Sequence, residues 1–177
     1  MKEAEHAHTA PTTSRGIPDR IADYLDGTGL LAKSQALRLA TVDTDGWPHA
    51  ALLSAGDVVV VPSGRIRFAL FPQSNMTSNL EREGRLTMSL SLDGGMYELR
   101  LRSRRLPNQD SAVPLALFEA DVETVRHHVA PYATVTGGSP LHCTILKRSF
   151  RVGTGRSLHC ARRDGKRGEH ARLQGPS

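Results

Sequence analysis

Four groups of residues have the types and spacing to do chemistry. His49 stands in an apolar, alternating stretch after Trp47-Pro48, where an imidazole could take up or release a proton near neutral pH. The same position also suits a half-buried strand residue beside a turn. Ser74, Thr77 and Ser78 put three hydroxyls at the head of a helical pattern, as any N-cap requires. Tyr97 and Glu98 are neighbours in an alternating segment, where one packs and the other is solvated. His127-His128, His142-Cys143 and His159-Cys160 carry zinc-ligand residue types. Adjacent residues of an extended chain point apart, however, and structural zinc sites space their ligands by about two to four residues, so no metal is expected. No group makes a convincing acid–base pair or activated nucleophile. Catalytic residues are therefore left unassigned, and any chemistry must come from something bound.

Composition narrows what could be bound. The chain has 177 residues, enough for one domain with a core plus tails, and only 5% of them are aromatic, so the core is aliphatic. No apolar run reaches the ~20 residues that span a bilayer. Residues 1–14 are polar and lack the apolar region of an export signal, so a cytoplasmic protein with free Cys143 and Cys160 is expected. The net charge of +5 is uneven: nine of the 23 basic residues lie between Lys147 and Arg172, against only Asp164 and Glu169. Nucleic-acid binding is expected, if anywhere, in this tail. With Phe150 as its lone aromatic, a solvated tail is the better reading.

Behind these residues stand elements that must position them. After a leader over residues 1–16, Ile17, Ile21 and Leu25 recur at helical spacing behind Pro18. From Leu37 the period becomes two. Leu37–Val42 and Trp47–Leu53 form a hairpin about Asp43-Thr44-Asp45-Gly46, and Asp57–Val61 with Arg65–Phe71 forms a second about Pro62-Ser63-Gly64. Ser74 then caps a helix through Glu83, stopped at Gly84. Arg85–Leu92 and Met96–Leu106 follow as strands, with Leu115–Val125 as a further strand that a helix would fit nearly as well. The sum is a mainly β chain: a six-stranded antiparallel barrel over residues 17–138 with short flanking helices, closed because short strands otherwise leave edges. Residues 139–177 read as a basic, disordered tail.

The order of these pieces resembles the pyridoxamine 5′-phosphate oxidase-like family, the FMN-binding split barrels. The resemblance rests on Leu39-Ala40-Thr41-Val42-Asp43-x-Asp45-Gly46-x-Pro48-His49-Ala50, on Ile66-Arg67-Phe68-Ala69-Leu70-Phe71 followed by Ser74-x-x-Thr77-x-Asn79-Leu80, and on Arg85-Leu86-Thr87-Met88. Leu117–Val122 and Pro131–Thr136 extend it towards residue 138. It implies a homodimeric split barrel with FMN in a groove between subunits, transferring hydride or electrons to a small-molecule substrate. Phosphate-end ligands would come from the second strand (His49, Ala50, Ser54) and the helix start (Ser74, Asn75, Met76, Thr77). Ala69 and Leu70 would touch the flavin ring. A helix N-terminus with hydroxyls suits that phosphate, since its first-turn N–H groups are unpaired.

The sequence also departs from the family. The characterised oxidases carry Arg-Lys directly after the serine matching Ser74, where this chain has Asn75-Met76. A charge-assisted hydrogen bond to phosphate is worth about 1.5–3 kcal/mol, so the absence of two weakens FMN binding on the order of a hundredfold or more. Two rival readings follow. One is the same barrel holding the deazaflavin cofactor F420, or haem with His127 or His128 as ligand. The other is a non-catalytic split-barrel module.

Overall fold

The computed structural model describes residues 12–107 and 114–141, together with the backbone of 149–152 and 156–159. Its elements are β1 (Thr12–Ser14), α1 (Asp19–Tyr24), β2 (Leu37–Val42), β3 (Pro48–Leu53), β4 (Val58–Val60), β5 (Ile66–Leu70), α2 (Asn75–Glu83), β6 (Arg85–Leu92), β7 (Gly95–Arg105), β8 (Ala116–His128), β9 (Ser149–Val152) and β10 (Arg156–His159). Short 3-10 turns occupy Leu30–Ala32 and Ala55–Asp57.

Seven antiparallel strands follow the order β3-β2-β6-β7-β8-β5-β4, and β1 adds to β8. The expected six strands are therefore a correction: the path holds seven, and an eighth pairs beside it. Thr12-Thr13-Ser14 is exposed and has no apolar alternation, so nothing in its sequence marks it as a strand. Only the backbone of Val125–His127 recruits it. Of Leu115–Val125, ambiguous in composition, all but Leu115 lies within the strand β8, because Ile66–Leu70 and Met96–Arg105 pair with it on either side.

Local chemistry accounts for the main turns. Asp43 accepts hydrogen bonds at Oδ1 from the N–H groups of Asp45 (3.0 Å) and Trp47 (2.8 Å), and Gly46 takes φ 84° to reverse the chain. Inside the curl, Leu37, Leu39, Ile66, Phe68, Met88, Leu99, Leu101 and Phe118 are buried, and the Phe68 and Phe118 rings stack at 5.5 Å. Ile21 from α1, Leu25 at its C-cap, and Met76 and Leu80 from α2 plug this core. A second apolar cluster, Val59, Val61, Ala69 and Leu117, covers the other face of β4, β5 and β8.

Residues 139–141 extend the domain past its expected end. Ala36 N–H donates to the Ser139 carbonyl (2.8 Å) and Leu141 N–H to that of Ser34 (2.7 Å). In the segment expected to be a disordered tail, β9 and β10 pair as an antiparallel hairpin. His142, Cys143 and Cys160 lie outside the described residues. Among the described residues no helix is long and apolar enough to cross a membrane.

Candidate functional site at the barrel seam

The start of α2 is fixed by its own hydroxyls. Thr77 N–H donates to Ser74 Oγ (3.2 Å), the N-cap interaction read from the sequence. Thr77 Oγ1 donates to the Phe71 carbonyl (2.8 Å) and lies 3.0 Å from Ser74 Oγ. With the Thr77 proton committed to Phe71, the Ser74 hydroxyl is left to donate to Thr77. The first-turn N–H groups of Asn75 and Met76 then remain for a ligand, since a helix leaves these groups without internal acceptors. Burial of Met76 and Leu80, with a buried bond from Asn79 Nδ2 to Thr41 Oγ1 (3.0 Å), sets the angle of the helix. Gly84 ends it at φ 68°, its N–H on the Leu80 carbonyl (2.8 Å).

This helix start faces a cleft of about 200 Å³. The cleft lies at the seam of the sheet, between β3 at one end of the path and β5 next to the other. His49, Ala51, Leu52 and Leu53 line it from β3, Ala69, Leu70 and Phe71 from β5 and the residue after it, and Ser74 and Met76 from α2. Asp57 joins from the Ala55–Asp57 turn. Its walls are mainly apolar and its polar groups few, the usual build of a small-molecule site.

The cleft thus gathers His49, Ala69, Leu70, Ser74 and Met76 from the expected ligands. Ala50, Ser54, Asn75 and Thr77 are not among its lining residues. Ala50 is exposed on the opposite face of β3, as strand alternation from His49 requires. Ser54 is committed to a capping box, its Oγ donating to Asp57 Oδ2 (2.6 Å) and its N–H to the same oxygen (3.1 Å). Asn75 is exposed at the first helical position, and Thr77 is buried beneath it. Sequence reasoning missed Ala51, Leu52, Leu53, Asp57 and Phe71. Period two from His49 would have found Ala51 and Leu53, and the Ser54-x-x-Asp57 capping pattern would have flagged Asp57.

Among the described lining residues only His49 and Asp57 are ionisable, and none is lysine or arginine. Arg85, which follows the far end of α2, meets Glu83 (3.0 Å). Tyr97 and Glu98 also lie away from the cleft lining. Tyr97 is buried and stacks on His127 at 4.0 Å, with its hydroxyl pushed up first by burial and then by the Asp93 carboxylate. Glu98 lies among Arg100 (3.5 Å), Arg126 (3.8 Å) and His128 (3.9 Å). Among the described residues no three His, Cys, Asp or Glu side chains converge to hold a metal.

A curled antiparallel sheet with a short helix inserted before its fifth long strand, and a cleft where that helix meets the seam, defines the split β-barrel of the pyridoxamine 5′-phosphate oxidase-like proteins. A candidate pyridoxamine 5′-phosphate oxidase of Lactobacillus delbrueckii superposes with a TM-score of 0.51 at 14% identity, over 66% of this chain and 98% of that one. HupZ of Group A Streptococcus superposes with a TM-score of 0.50 at 14% identity, over 67% of this chain and 98% of HupZ. No family model matches the sequence. In sequence the chain is 34% identical over 124 residues to YclD, an uncharacterised protein of Bacillus subtilis (strain 168), spanning 69% of this chain and 80% of YclD. The chain belongs to the same family as YclD, and its fold is that of the pyridoxamine 5′-phosphate oxidase-like split barrels.

Proposed function

We propose that the protein is an FMN-binding oxidoreductase acting on a small molecule, with the flavin held at the seam cleft of a homodimer. The observation that carries this reading is the junction of an apolar floor (Ala51, Leu53, Ala69, Leu70) with the start of α2 at Ser74–Met76. A flavin ring needs the first and a phosphate the second. A bound flavin supplies hydride or electron transfer at its N5. The protein's part is to seat the ring against β5, to offer the Asn75 and Met76 N–H groups to the phosphate, and to keep water from the ring. His49, on the β3 side of the same cleft, would donate to the phosphate.

Size supports the dimer. About 200 Å³ falls short of the roughly 300–1,000 Å³ of ordinary cofactor and ligand pockets. Leu52 at 52% and Phe71 at 58% exposure rim the cleft, an apolar margin for a second copy to cover.

Absorbance and titration with FMN test the reading. Purified protein should carry flavin bands, or quench FMN fluorescence at micromolar concentration. A Soret band would replace flavin by haem, and uptake of F420 alone would replace it by the deazaflavin. A colourless protein that takes up none of the three would be a non-catalytic split barrel, the reading that the absence of a cation among the described lining residues favours.

A further inference from the structure

On the outer face of β5, β8 and β7, three cations gather about one buried anion. Glu119 of β8 stands opposite Arg67 of β5 on one side and Arg104 of β7 on the other. Arg65, two residues before Arg67, shares its face of the sheet. All three guanidiniums converge on the one carboxylate. Arg67 Nε donates to Glu119 Oε2 (2.7 Å), Arg104 Nη2 to Oε1 (2.6 Å), and Arg65 Nη1 also to Oε1. None of these four residues lines the seam cleft.

One guanidinium would neutralise Glu119, so three leave two positive charges over. The exposed Asp121 offsets part of that excess, with Arg65 Nε 3.7 Å from its Oδ1. Next along the same face of β7, by contrast, Arg102 meets Glu123 one to one (2.8 Å). The Glu119 carboxylate is buried, whereas Arg104 is 62% exposed and Arg65 38%. Glu119 is thus a template beneath the cluster and the arginines are its outward surface. It holds one edge of each guanidinium. Both Nη groups of Arg67, and Nε and Nη1 of Arg104, are left with no acceptor among the described residues.

We propose that Arg65, Arg67 and Arg104 form an anion site on the outer face of the barrel, taking the phosphate group of a small phosphorylated ligand. Guanidiniums are planar and present paired donors that match the oxygens of a phosphate. Because Glu119 already holds them in place, less side-chain freedom is lost when a ligand binds. A dianion also relieves the mutual repulsion of three like charges. This site stands or falls independently of the flavin reading.

Calorimetric titration of the full chain with inorganic phosphate and with pyrophosphate, at about 20 mM salt, tests this. Both should bind and raise the unfolding temperature. Arg104→Gln, at the most exposed of the three arginines, should weaken phosphate binding roughly tenfold or more. Arg104→Lys should recover only part of that loss, because an ammonium cannot bridge two oxygens as a guanidinium does. Arg102→Gln should bind as the parent does. If Arg102→Gln weakens phosphate as much as Arg104→Gln, the attraction is diffuse surface charge and the site is overturned. A parent chain that binds neither anion overturns it even if a variant fails to fold. A short DNA duplex distinguishes the source of the phosphate. Duplex binding tighter than pyrophosphate binding, and weakened equally by Arg102→Gln and Arg104→Gln, would make this face a nucleic-acid surface and overturn the small-ligand site.

Discussion

Glu119, only 2% exposed on β8, is surrounded by the guanidiniums of Arg65, Arg67 (2.7 Å) and Arg104 (2.6 Å). Burial works against its ionisation, yet Arg67 and Arg65, with Arg104, outweigh burial and hold the carboxyl below the ordinary range near 4.5. A depressed carboxylate stabilises the fold above its unfolded-state value, and that stabilisation is lost as pH falls through the folded-state value. Glu119→Gln should therefore cost about 2 kcal/mol at neutral pH, discounted from a fully buried pair because the arginines are partly exposed. Urea unfolding should show the two proteins converging as pH falls below the ordinary carboxylate range. At the cleft, Asn75→Arg restores a cation at the exposed first position of α2. It should tighten FMN roughly tenfold or more, by one charge-assisted bond of about 1.5–3 kcal/mol, as read by fluorescence titration. An unchanged affinity would remove the start of α2 from the phosphate site.

The elements were the most legible part of the sequence. Ser74 to Gly84 is a helix with the expected cap and stop, because both ends are written in local chemistry. At Gly84 the backbone needs φ 68°, and an added Cβ would come within 2.8 Å of the Ser103 carbonyl oxygen. Gly84→Ala should then destabilise the protein by about 2 kcal/mol or more, lowering its midpoint in chemical denaturation. A neutral outcome would mean that β7 can shift away from the helix end. The strands with one buried face, such as β2 with Leu37, Leu39 and Thr41 inward, were equally readable. β1 was not, since a strand exposed along its length has no apolar period to display. β9 and β10 lay hidden for another reason: at four residues each, Ser149-Phe150-Arg151-Val152 and Arg156-Ser157-Leu158-His159 are too short to establish a period within a stretch rich in glycine, arginine and histidine.

At the scale of the whole molecule, the seam and its apolar rim govern assembly. Leu52→Asp places a charge where the proposed second copy packs, and should shift the protein from dimer to monomer in sedimentation while weakening FMN binding. A variant that stays dimeric would move the interface elsewhere on the barrel. Such a surface is invisible along the chain: Leu52 reads as one more apolar strand residue, and only the position of β3 at the end of the sheet path exposes it.

By itself the sequence determined the helices, the hairpins and the residues that turn them, because capping, strand period and left-handed glycines act over a few residues. It also carried the family resemblance, and with it five residues that the cleft gathers. The tertiary structure alone decided which side chains meet there. Asp57 joins the wall while Ser54 and Thr77 spend their hydroxyls on neighbours. The physical reason is that a hydroxyl's role depends on which acceptor lies within about 3 Å. Across a sheet of non-local pairings, that distance belongs to the fold and not to the spacing along the chain.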